Sequence, residues 1–127
     1  MNIFHFMYDA IHPRRIFSQE FKFMSYHQAH KERCWCVSFS PSDLKFATSS
    51  DDSTVKVHDF LLSSCESTLT GHGGDVRWVD WHPSRGVVAS ASKDASVKLW
   101  EPRSASCAAT LHGHKNGVLQ VSECMKG

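Results

Sequence analysis

The 127-residue chain has no run of about 18 apolar residues, so no helical membrane span is expected. It has no excess of one charge sign: 14 Lys and Arg against 13 Asp and Glu leave a formal net charge of +1. That balance excludes a strongly basic nucleic-acid clamp and leaves room only for a local basic patch. A dense cysteine framework is also missing, and the five cysteines, an odd count, favour free thiols in a reducing compartment. The first residues lack the order of a secretory leader, because His5, Asp9, His12 and Pro13 interrupt any apolar run. An intracellular chain is therefore expected. Glycine is absent before position 71, whereas five of the eight phenylalanines lie in the first 23 residues. With 41% apolar residues, the length is enough for one core-forming domain.

What the chain does contain is an internal repeat. His30, His72 and His114 are spaced 42 residues apart, and residues 30–71 laid on 72–113 without a gap share 14 identities. The shared pairs include Val37 with Val79, Pro41 with Pro83, Asp52 with Asp94, Val55-Lys56 with Val97-Lys98, Cys65 with Cys107, and Gly71 with Gly113. Val121 continues the series into a third unit. Each unit reads as four short strands parted by turns, with no room for a helix. In the first unit the strands run through Val37–Ser40, Lys45–Ser49, Thr54–His58 and Cys65–Leu69. In the second they run through Val79–His82, Val87–Ala91, Ser96–Trp100 and Cys107–Leu111. Alternation such as Val55/Val57 and Val97/Leu99, with abundant Val, Ser and Thr, predicts half-buried antiparallel strands. The fold class is all-β.

Gly71-His72, Asp94 and Trp100-Glu101, with Gly113-His114 opening another unit, resemble the WD repeat. The resemblance implies a partial β-propeller: two full four-stranded blades, at about 30–71 and 72–113, with parts of flanking blades. A third blade would start at 114. Residues 28–127 would form this partial propeller, and 1–27 a divergent segment whose end supplies the last strand of a preceding blade. The resemblance also implies a hydrogen-bonded set in each blade. In the second blade the set is His72, Ser90, Asp94 and Trp100. In the first it is His30, Thr48, Asp52 and, at the tryptophan position, His58, while His114 opens the third set. His58-Asp59 and Trp100-Glu101 depart from the Trp-Asp pattern, and the smaller His58 predicts a weaker first blade.

Further stretches narrow the resemblance: Gln28-Ala-His-Lys-Glu32, Phe39-Ser-Pro-Ser-Asp43, Val79-Asp-Trp-His-Pro83 and Leu111-His-Gly-His-Lys-Asn116. Over about residues 28–121 the chain is similar to the WD-repeat subunits of the cleavage and polyadenylation specificity factor, the family of the plant flowering-time control protein FY. That similarity implies a non-enzymatic nuclear scaffold of pre-mRNA 3′-end processing that helps recognise the polyadenylation signal. Expected partners are other subunits of that machinery and pre-mRNA, with no membrane and no cofactor. The competing class is a generic WD-repeat adaptor, such as a ubiquitin-ligase substrate receptor. Two blades cannot close a ring, since seven would need roughly 290 residues, so a fragment that self-associates through open blade faces is expected.

His72, Ser90 and Asp94 contain the residue types of a hydrolytic triad, but Ser90 sits mid-strand without a Gly-x-Ser-x-Gly elbow. The same pattern recurs as His30, Thr48 and Asp52, which suits a structural set and assigns no catalytic residue. Cys34-x-Cys36 is not a zinc spacing, and Cys65 with Cys107 suggest packing between neighbouring blades, so no metal site is assigned. Contact candidates for RNA or a partner are Lys31, Arg33, Arg77, Trp78, Arg85 and Lys93, since cations and aromatic rings suit single-stranded RNA. The alternative is that solvated cations decorate blade loops and Trp78 packs between blades. Arg14-Arg15 is a further basic pair, without a surrounding motif.

Overall fold

Alternating β-branched residues between Ser- and Asp-rich turns form two successive four-stranded meanders. The computed structural model describes residues 29–62 and 64–118. The first sheet holds β1 (Cys34–Phe39), β2 (Lys45–Ser50), β3 (Val55–Asp59) and β4 (Ser64–Leu69). The second holds β5 (Val76–Trp81), β6 (Val88–Ser92), β7 (Val97–Glu101) and β8 (Ser106–Leu111). In each sheet the strands lie in chain order and pair antiparallel. The strands expected around Phe4–Tyr8 and Phe21–Phe23, the Arg14-Arg15 pair and Val121 lie outside the described residues.

The two sheets repeat each other in detail. A bulge interrupts the β1–β2 register between Cys34 and Cys36, and another interrupts β5–β6 between Val76 and Trp78. The β2–β3 and β6–β7 turns place Ser53 at φ 69° and Ala95 at φ 68°, left-handed conformations 42 residues apart. In both turns a serine hydroxyl holds the aspartate amide: Asp52 N–H donates to Ser50 Oγ and Asp94 N–H to Ser92 Oγ, each at 3.1 Å. Short polar side chains thus replace the backbone partners that a turn cannot supply.

The sheets stack face to face as blades. Ala47, Val55, Val57 and Leu69 of the first meet Val76, Val79, Trp81, Val88 and Trp100 of the second in one core cluster. β2 and β6 are buried almost throughout, and beyond Phe46 and Val88 they carry only small side chains (Ala47-Thr-Ser-Ser and Ala89-Ser-Ala-Ser). Polar contacts tie the blades as well: Trp81 Nε1 donates to Ser38 O at 3.0 Å, Ser38 Oγ to Asp80 Oδ1 at 3.2 Å, and Ser67 Oγ to Pro102 O at 3.0 Å. A second cluster gathers Ala89, Ala91, Val97 and Val118, with Trp78 and Leu99 against it.

The expected packing of Cys65 and Cys107 between blades is corrected. Both are exposed, on the outermost strands β4 and β8, and their thiols meet carbonyls of their own strands, Ser67 O and Ala109 O. The outer strand of a blade reaches beyond the cover of its neighbour, so equal repeat position here does not mean burial.

Candidate interaction surface

The polar sets of the two blades come together inside the sheets. His72 lies in the β4–β5 connection, just ahead of its Gly73-Gly74 bend, Ser90 lies on β6, Asp94 in the β6–β7 turn and Trp100 on β7. His72 Nδ1 lies 2.8 Å from Asp94 Oδ2 and Nε2 lies 2.6 Å from Ser90 Oγ, while Trp100 Nε1 donates to Ser90 Oγ at 2.7 Å. Every atom is satisfied when the imidazole is neutral with its proton on Nδ1: the indole donates to Ser90, Ser90 to His72, and His72 to Asp94. Burial disfavours the imidazolium and holds His72 below its ordinary pKa. Burial opposes charge on Asp94 too, but donors from Ser96 Oγ, Gly73 N and His72 outweigh it and hold the carboxyl well below the carboxylate range.

The first blade repeats the arrangement with other atoms. His30 Nδ1 lies 2.8 Å from Asp52 Oδ2, His30 Nε2 lies 2.7 Å from Thr48 Oγ1, and His58 Nε2 meets the same hydroxyl at 3.0 Å. His58 is fully buried and stacks on Phe46, with ring centroids 4.6 Å apart. Phe46 faces His58 across β2 and β3, as Val88 faces Trp100 across β6 and β7. The larger Phe46 therefore fills the space left by the missing indole, an exchange the size of His58 alone did not reveal. Ser90 and Thr48 are fully buried, so neither hydroxyl is open to a substrate. His114 is exposed and joins no such set among the described residues.

Among the described residues no three His, Cys, Asp or Glu side chains converge as a metal-ligand group. Burial pushes the Cys34 thiol up to about 11. Cys36, also raised by burial, points its thiol at Val79 O of the second blade at 3.5 Å.

Of the surface candidates, the structure gathers three at one end of the blades. That end carries the starts of β1 and β5 and the β2–β3 and β6–β7 turns. Arg77 lies over the Trp35 ring at 3.9 Å and Arg33 lies 5.1 Å from the same centroid. The indole N–H of Trp35 donates to Asp51. Arg77 also approaches Asp51 at 3.9 Å and Asp75 at 3.4 Å, and Lys93 Nζ closes the chain on Asp75 at 3.1 Å. The Lys93 ammonium beside Asp75 holds that carboxyl below the usual range. Lys31 is exposed just ahead of β1. Trp78 is set apart, packed in the second core cluster, and Arg85 lies in the β5–β6 loop at the opposite end.

Sequence reasoning missed Trp35, Asp51 and Asp75. The signal was present in the repeat: Arg33 and Asp75, Trp35 and Arg77, and Asp51 and Lys93 are pairs 42 residues apart. Positions identical between units build the blade, whereas these three change charge or chemistry and meet on one end. The result is an exposed aromatic ring and three cations, braced by two carboxylates, spanning both blades. Cation–ring contacts of this kind contribute about 0.5–1 kcal/mol each when exposed.

A stacked pair of four-stranded meanders with a buried His, hydroxyl and Asp set in each defines a repeat protein of β-propeller blades. The sequence matches the WD40 family, described as WD domain, G-beta repeat, over residues 21–59 and 63–101. The chain belongs to that family. It is 60% identical over 37 residues to polyadenylation factor subunit 2 of Neurospora crassa, covering 29% of this chain and 6% of that protein. The protein of the same name from Cryptococcus neoformans is 46% identical over 50 residues, 39% of this chain and 7% of that protein. Nuclear distribution protein nudF of Aspergillus flavus is 41% identical over 54 residues, 42% of this chain and 12% of that protein. The matches thus span a small fraction of each relative's length.

Proposed function

We propose that this chain acts as a non-enzymatic WD-repeat scaffold in nuclear pre-mRNA 3′-end cleavage and polyadenylation, assisting recognition of the polyadenylation signal. The observation that carries this reading is the 60% identity with a polyadenylation factor subunit, above the 41% shared with another WD protein. The end face adds suitable chemistry, since Trp35 with Arg33, Arg77 and Lys93 offers a ring and cations to a single strand. Arg77 and Lys93 are already engaged with Asp51 and Asp75, so an RNA phosphate at either cation would have to displace those carboxylates. The longer stretch shared with nudF supports the broader alternative, a generic WD-repeat adaptor of another protein assembly.

The test has two arms. Affinity-tagged chain expressed in cells is expected to enrich cleavage and polyadenylation subunits; enrichment of ubiquitin-ligase subunits instead would favour the alternative. In fluorescence anisotropy with an RNA carrying the polyadenylation signal, Arg77→Glu is expected to weaken binding and lower the salt slope by about one. Unchanged affinity and slope would remove Arg77 and the end face from RNA recognition.

A further inference from the structure

The end of the blades away from Trp35 carries a groove that neither the buried sets nor the end face uses. It lies between the two blades, with a volume of about 750 Å³. Lys45, Glu66 and Ser67 line it from the first blade, and Trp81, Arg85 and Arg103 from the second. We propose that this groove docks an extended, acidic peptide segment of a partner protein, with its carboxylates on Arg85 and Arg103.

Three observations converge on that occupant. Arg85 and Arg103 are exposed, and among the described residues neither guanidinium has a carboxylate within ion-pair distance, unlike Lys45, which pairs with Glu66 at 2.9 Å. A guanidinium is a planar fork of donors suited to a carboxylate. The repeat supplies an internal control: Arg85 and Arg103 stand where the first blade has Asp43 and Leu61, so the blade fold does not require arginine at either position. The first-blade wall includes Glu66 and Ser67 of β4, an edge strand of its sheet, which leaves main-chain groups open to an added extended segment.

The charge pattern favours a peptide over a nucleic-acid strand. Asp43, Glu66 and Glu101 also line the groove, so its three cations and three carboxylates give no net positive trough. A phosphate backbone would meet those carboxylates along its length, whereas a peptide can set isolated acidic side chains at the two arginines and apolar ones over Trp81 and Pro102.

The experiment titrates the full 15N-labelled chain with a short peptide alternating glutamate with leucine. Its lysine-for-glutamate counterpart and a uridine-rich RNA are titrated separately. The expected result is saturable shifts at Arg85, Arg103, Ser67 and the Trp81 indole with the acidic peptide only. Arg85→Glu with Arg103→Glu is expected to weaken the peptide at least about tenfold, and the neutral Arg85→Gln with Arg103→Gln to weaken it less. Circular dichroism checks that both variants keep the native spectrum. No saturable binding of the acidic peptide, equal binding by the double Glu variant, or preferential RNA binding at the same residues would each overturn the proposal.

Discussion

At the scale of single residues, the molecule rests on hydroxyls that serve two partners at once. Ser90 Oγ accepts from the Trp100 indole and faces His72 Nε2, all within buried structure. Removing that one oxygen leaves an indole N–H and an imidazole nitrogen unpaired, and each buried polar group left so costs about 1–3 kcal/mol. Ser90→Ala is therefore expected to destabilise the chain by about 2–6 kcal/mol, read as a lower urea midpoint. Ser90→Thr retains the hydroxyl, as Thr48 does at the equivalent position of the first blade, and is expected to lose much less. A Ser90→Ala midpoint equal to wild type would contradict the set's contribution.

At the scale of elements, the cross-strand pair is the unit that tolerates change. Phe46 with His58 and Val88 with Trp100 occupy the same register in β2–β3 and β6–β7. Placing the larger indole at 58 against Phe46 overfills a closed site, and overpacking typically costs about 1–3 kcal/mol. His58→Trp alone is expected to destabilise by that amount, and Phe46→Val alone to leave a cavity costing a similar amount. The double exchange should recover most of both losses, because it recreates the pair of the second blade. A double-mutant cycle in urea measures this, and strict additivity would refute the compensation. The pair was half legible from sequence. The repeat marked position 58 as the tryptophan position, but only the register shows which residue stands opposite it.

At the scale of the whole molecule, both blades hold imidazoles neutral by burial, and this predicts acid sensitivity. The folded values of His30 and His72 lie below the ordinary 6.5, so their contribution is fully present above pH 6.5. It is lost as the pH falls from there through the folded values, because the unfolded chain takes up the protons first. Two such groups set a slope of at most about 3 kcal/mol per pH unit. Asp52 and Asp94, also lowered, add a further loss below about pH 4. Urea midpoints are expected to be level between pH 7 and 8 and clearly lower at pH 5. A midpoint unchanged at pH 5 would show that the folded chain protonates these imidazoles as readily as the unfolded one.

Sequence by itself determined the blade. The 42-residue period, the alternation of Val55/Val57 and Val97/Leu99, and the Asp-containing turns specify strands and turns, and the resemblance to the WD repeat implies the His, hydroxyl and Asp sets. These features are local, or recur at one fixed spacing, so a single chain read against itself exposes them. The tertiary structure decided what depends on neighbours. It put Trp35 beneath Arg77 across two blades, set Arg85 apart from the other cations at the far end, and left Cys65 and Cys107 in solvent. It also paired Phe46 with His58. The reason is physical: a residue's period fixes its place within its own blade, whereas its partners come from the end, edge or face that the next blade covers.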